Sequence, residues 1–101
     1  MSSPDPAFDA AHPSGHLVFR SCRGGYLHSV ALADAAMDAQ AATLADAVLL
    51  AAQVSHLKAV MRIRQEIVSA GFTPSAGLPG PDDLDRAEDA LRQHALGPGR
   101  R

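Results

Sequence analysis

Between Gly15 and Ala70 the apolar residues fall in two rhythms. From Leu17 the chain reads Leu-Val-Phe-Arg-Ser-Cys, then Arg23-Gly24-Gly25, then Tyr-Leu-His-Ser-Val-Ala-Leu. These are two runs of strand character around a Gly pair that supplies the positive φ values of a tight hairpin. With Gly24-Gly25 as a two-residue loop, Leu17, Phe19 and Ser21 share a face with Tyr26, His28, Val30 and Leu32, and that face is the expected core side. The Ala/Asp segment from Ala33 to Gln40 is expected to form a turn of helix. Thr43 then caps or begins a long helix with its large apolar residues at Leu44, Val48, Leu50, Val54, Leu57, Met61 and Ile67. Spacings of mostly three and four describe a helix buried over a wide stripe. No Gly or Pro lies between Tyr26 and Ala70, and Gly71 marks the stop.

The two rhythms differ in length. A hairpin of two such strands offers a face about 20 to 25 Å long, whereas roughly thirty helical residues span about 45 Å. The helix therefore overhangs its sheet. The stripe around Leu50, Val54, Leu57 and Met61 is expected to be left over and to form the seam of a homodimer.

Residues 1–15, with Pro4, Pro6 and Pro13, are expected to be a flexible N-terminal arm with little regular structure, tacked down through Phe8. Residues 71–81 read as a Gly/Pro linker. Pro81 suits a first helical position, and Asp82, Asp83 and Asp85 favour the positive end of a helix dipole. Leu84, Ala87 and Leu91 then make a narrow apolar stripe on a helix over 82–96, with a tail at 97–101. This helix either docks on the core or binds a partner. The expected fold is α+β, an antiparallel hairpin and long helix over 16–70 followed by a short C-terminal helix.

At 101 residues there is room for one domain with a small core, so oligomerisation is a natural supplement. Apolar residues make up 47% and aromatics only 4%, which suits close helix packing better than a roomy ligand pocket. Lys58 is the only lysine beside eight arginines, a usage of GC-rich genomes. The net charge of −2 announces neither a polyanion nor a membrane partner. Cys22 alone excludes an intramolecular disulfide, and no secretory layout opens the chain, so a cytoplasmic location is expected. No membrane span is expected, because Asp46, Gln53, His56 and Lys58 bound or interrupt the longest apolar stretch.

Candidate chemistry is sparse. His12, His16, His28, His56 and His94 show no metal-ligand spacing. Cys22 and His28 pair only across a three-residue turn, since a two-residue loop sends them to opposite faces. The carboxylates from Asp82 to Asp89 sit in solvated helix turns rather than across a cleft. Gly24-Gly25 lacks the further glycine, lysine and hydroxyl of a phosphate cradle. No catalytic residue, metal or cofactor is expected. Charge is uneven: from His16 to Arg64 five basic residues stand against three acidic, while from Asp82 to His94 five acidic stand against two basic. In a dimer, Arg20, Arg23, Arg62 and Arg64 would gather into a patch suited to phosphates, or form a solvated face. No aromatic interleaving supports single-strand stacking.

The order of hairpin, acidic link, helix and Gly/Pro-rich tail resembles the YbaB/EbfC nucleoid-associated family over roughly residues 15–80. The resemblance rests on Gly15, the Arg23-Gly24-Gly25-Tyr26 turn, Val30, Leu32, Leu44 and the Ala51-Ala52 step. It implies an α+β subunit whose long helix packs in a YbaB-like homodimer, and a DNA-binding role. The sequence departs from that family where an N-terminal helix would precede the hairpin, since a Pro-rich arm stands there. In its short form and Arg usage it is more similar to YbaB-like accessory proteins of actinobacterial type VII (Esx) secretion loci. That similarity implies a protein-binding adaptor with a secretion-associated partner, the nucleoid DNA-binding role being the alternative.

Overall fold

The computed structural model describes residues 6–22 and 27–95. A 3-10 turn at Pro6–Phe8 leads into β1 (Ala10–Ala11), β2 (Leu17–Ser21) and β3 (Leu27–Leu32). A 3-10 helix (Asp34–Asp38), α1 (Ala41–Ser69) and α2 (Pro81–Gln93) follow. The strands form one antiparallel sheet in the order β1-β2-β3, and the fold is α+β as expected.

Alternation sets the sheet. Leu17, Phe19 and Ser21 are buried on one face of β2 while Arg20 on the other is exposed. The expected register holds from Leu17↔Leu32 to Arg20↔Ser29. It then shifts, so that Ser21 pairs with Leu27 and His28 is the extra residue of a bulge. Ser21 thus faces Leu27 rather than His28 across the ladder. The loop at 23–26, with Gly24 and Gly25, lies outside the described residues. Little regular structure was expected before Leu17, but Ala10 and Ala11 pair with Phe19 and Val18 as a third strand. The contact through Phe8 does form, and the ring is buried. Two large buried side chains, Phe8 and His12, flank the alanines and hold this short strand against β2.

α1 starts at Ala41, two residues before Thr43, with Gln40 at its N-cap and no side-chain capping bond. Alanine has the highest helix propensity, so Ala41-Ala42 extends the helix without a cap. At the other end Gly71 has φ +90°. Its N–H donates to Val68 O and the Phe72 N–H to Ile67 O, both at 3.0 Å. These two bonds are the Schellman pattern, which needs a left-handed residue at that position.

α1 lies across the inner face of β1 and β2 and barely touches β3. Its closest contacts use small residues: Ala47 and Ala51 are fully buried, with Val54 beside them, against Leu17, Phe19 and Ala36. Ser55, also fully buried, ties three elements together. Its hydroxyl donates to Phe8 O at 2.6 Å and accepts from Ser21 Oγ at 2.5 Å. α1 is also long and apolar enough, by length and composition, to cross a membrane, which corrects the expectation that no such stretch exists. In this fold it is the core helix.

The C-terminal helix docks on α1. It begins at Pro81, with Asp83 accepting the Gly80 N–H at 2.8 Å, and ends at Gln93 rather than Leu96. Ala87 and Leu91 are buried and Leu84 is half-buried. α2 runs back along α1, since its start stands beside Gln65 and Val68 and Leu91 beside Val54. Ion pairs Arg86–Asp83 and Arg92–Asp89 decorate its outer side.

Candidate functional site

Because the 71–80 connection reverses the chain, α2 covers one flank of α1, while the 3-10 turn at Pro6–Phe8 stands on another. Between them opens a cleft of about 580 Å³ over the second half of α1. Met61, Gln65 and Val68, spaced by four and three, line its α1 side, with Phe8 from the 3-10 turn and Pro81 and Leu84 from α2. Lys58, Arg62 and Arg64 bring positive charge to it, and Asp85 is the one carboxylate among its lining residues. The low aromatic content predicted no roomy pocket. The cleft exists because two segments distant in sequence frame one helix.

The cations are held by neutral groups. Lys58 Nζ donates to Asp9 O at 2.7 Å. The Arg62 guanidinium lies 5.6 Å from the Phe8 ring centroid, within cation–π range. Arg64 Nη1 makes long contacts to Leu78 O and Pro79 O at 3.4 and 3.5 Å. Arg20 sits apart on β2, where its Nε meets Asp9 Oδ2 at 3.4 Å. Of the four arginines expected to meet phosphates, Arg62 and Arg64 share the cleft, Arg20 is ion-paired elsewhere, and Arg23 lies outside the described residues.

The expected seam along α1 is divided. Val54 and Leu57 are only 2% and 6% exposed within their own subunit, because the sheet and α2 cover them, so they are not part of an uncovered stripe. Leu50 and Met61 are half-buried, and Met61 faces the cleft. Uncovered apolar residues stand on α1, at Leu49 and Val68, and on the sheet, at Leu27 and Leu32. Leu32 and Val30 pair with buried Leu17 and Phe19, and Leu27 pairs with buried Ser21. Leu27 is nonetheless 58% and Leu32 42% exposed, because α1 stops short of β3.

A histidine bridge closes the far end of α2. The Ser14 N–H donates to His12 Nδ1 at 3.1 Å, which assigns the ring proton to Nε2, and this proton is donated to His94 Nδ1 at 3.0 Å. Burial, and then the neighbouring His94 and His16, hold the His12 pKa below the ordinary histidine value. Sequence spacing carried no sign of this pair. Cys22 is a buried thiol. Among the described residues no three His, Cys, Asp or Glu side chains come together to hold a metal ion.

The arrangement is one of surfaces, an open sheet edge and a charged apolar cleft on a helical hairpin. The chain belongs to the family described as "Protein of unknown function (DUF2694)", whose model matches residues 1–97. Among its relatives are "Uncharacterized protein Rv0028" of Mycobacterium tuberculosis (strain ATCC 25618 / H37Rv) and "Uncharacterized protein Mb0029" of Mycobacterium bovis (strain ATCC BAA-935 / AF2122/97). Each is 57% identical over 96 residues and covers 95% of both chains. No solved structure matches.

Proposed function

We propose that the protein is a non-enzymatic, homodimeric, YbaB-like adaptor that binds other proteins in the cytoplasm, serving partners of type VII (Esx) secretion. The observation that carries the homodimer is the open inner face of β3. Leu27 and Leu32 lie exposed on the core face of the sheet, while Val30 between them is half-buried against the core. β3 reads Leu-His-Ser-Val-Ala-Leu, with no Lys, Asp, Glu or Pro to discourage edge pairing. Two β3 strands related by a two-fold axis would pair antiparallel and match apolar with apolar, without like-charge contact. The seam therefore moves from the α1 stripe to β3. The mycobacterial relatives are in keeping with an actinobacterial source.

Sedimentation velocity across the micromolar range tests this reading. A dimer is expected, and a monomer throughout would refute it. The alternative, a nucleoid-associated DNA-binding protein using Arg20, Arg23, Arg62 and Arg64, is less favoured, because Arg20 is ion-paired with Asp9 and Arg62 and Arg64 line an apolar cleft. A mobility shift that weakens steeply with salt would restore it.

A further inference from the structure

We propose that the cleft between the Pro6–Phe8 turn and the start of α2 is a docking groove for an acidic amphipathic helix of a partner protein. The inference rests on the protein-binding reading above and gives the partner a chemistry. Its basis is charge set around an apolar lining. Met61 and Val68 from α1, with Leu84 from α2, present apolar surface of the kind into which a helix lays anchors spaced i, i+3, i+4 and i+7.

Three of the chain's nine Lys and Arg residues line this cleft against one carboxylate, Asp85, so it carries a surplus of two positive charges on a chain of net charge −2. Among the described residues, groups that orient the cations are the Asp9, Leu78 and Pro79 carbonyls and the Phe8 ring. These fix direction without cancelling charge, which leaves the cations able to meet carboxylates.

The molecule itself shows that this part of α1 accepts the apolar stripe of an amphipathic helix, while the ion pairs of α2 lie within α2 itself, Arg86 with Asp83 and Arg92 with Asp89. α2 is an acidic amphipathic helix, with five acidic residues against two basic over 82–94, and it packs through Leu84, Ala87 and Leu91 on the flank of α1 next to the cleft. A second amphipathic helix would lie in the cleft over Met61 and Val68, beside the start of α2, its carboxylates toward Lys58 and Arg62. A nucleic-acid backbone would meet the cations and leave the apolar lining unused, so a protein segment is the better match.

The test uses the full chain and a fluorescein-labelled peptide of about 14 residues, with Leu at the i, i+3, i+4 and i+7 positions and Glu elsewhere, read by fluorescence anisotropy at low salt. The expected result is saturable binding that weakens as salt rises, drops by about tenfold or more in Arg62→Glu, and is unchanged in Arg92→Glu, which alters charge equally at an exposed position outside the cleft. A peptide with Lys in place of Glu is expected not to bind. Circular dichroism melts check folding, and Met61→Glu, at a half-buried cleft position, gives the same reading should Arg62→Glu not fold. The proposal is overturned by no binding of the acidic peptide, by equal binding of the Lys peptide, by equal loss in Arg92→Glu, or by a short DNA duplex binding through Arg62 in the peptide's place. A sedimenting dimer with no peptide binding removes the groove and leaves the homodimer. A monomer that binds peptide through Arg62 does the reverse.

Discussion

Replacing Ser55 by Ala removes one hydroxyl at the point where α1, β2 and the N-terminal turn meet. Two buried groups lose their partner, the Phe8 carbonyl its donor at 2.6 Å and the Ser21 hydroxyl its acceptor at 2.5 Å. Leaving a buried polar group unsatisfied costs about 1–3 kcal/mol. The Phe8 carbonyl is fixed by backbone, so it bears that cost in full, while the Ser21 hydroxyl can rotate and falls near the low end. Alanine returns about 0.5 kcal/mol through helix propensity. The net expectation is a loss of about 1.5–3.5 kcal/mol, a large share of the roughly 5–15 kcal/mol of a typical domain. Ser21→Ala leaves the Ser55–Phe8 bond standing and should cost only about 1 kcal/mol. The double variant should cost less than the two single losses together, because Ser55→Ala has already orphaned Ser21. Urea unfolding at one fixed protein concentration measures all three, the concentration being held because self-association, if present, would contribute to apparent stability. A Ser55→Ala loss within about 0.5 kcal/mol of zero, or simple additivity with Ser21→Ala, would refute the reasoning.

Three further outcomes are expected. Gly71→Ala, at φ +90° with open space around its added methyl, should destabilise by about 1–2 kcal/mol from backbone strain alone, measured by thermal melting; an unchanged midpoint would mean the helix ends differently. Because the His12 pKa is lowered in the folded state, the unfolded chain binds its proton first, so stability should fall as pH drops through about 6.5 toward the folded value. His12→Gln, followed by urea midpoints across that window, should flatten the dependence, and an equal slope in the variant would assign it elsewhere. Leu32→Arg, at an exposed inner-face position of β3, should leave the fold intact and shift the sedimentation equilibrium toward monomer; a dimer of undiminished affinity would place the seam elsewhere.

Much of the fold is legible in local pattern. The Gly24-Gly25 pair and the alternation around it predict the pairing of Leu17 with Leu32 and Phe19 with Val30, and the i, i+3, i+4 spacing from Leu44 to Ile67 predicts α1 with its stop at Gly71. What escapes is what depends on distant segments. β1 is two alanines with no strand propensity of their own, held by burial of Phe8 and His12 to either side. The stripe through Val54 and Leu57 is plain in the sequence, but which part of it α2 covers depends on the reversal at 71–80. The bulge that gives Leu27 the place opposite Ser21 leaves no mark on an alternation of period two. The contacts that organise the candidate surfaces join residues far apart, His12 with His94 across 82 positions and Ser21 with Ser55 across 34, and no periodicity reports on pairs at such separations.

In the proposed homodimer, β3 is the interface between two copies. Sedimentation velocity of the full chain from about 1 to 100 μM, the range in which moderate interfaces dissociate, should show a species of twice the 10.5 kDa chain mass at the upper end, with Leu32→Arg displaced toward monomer. A single 10.5 kDa species at every concentration would contradict it.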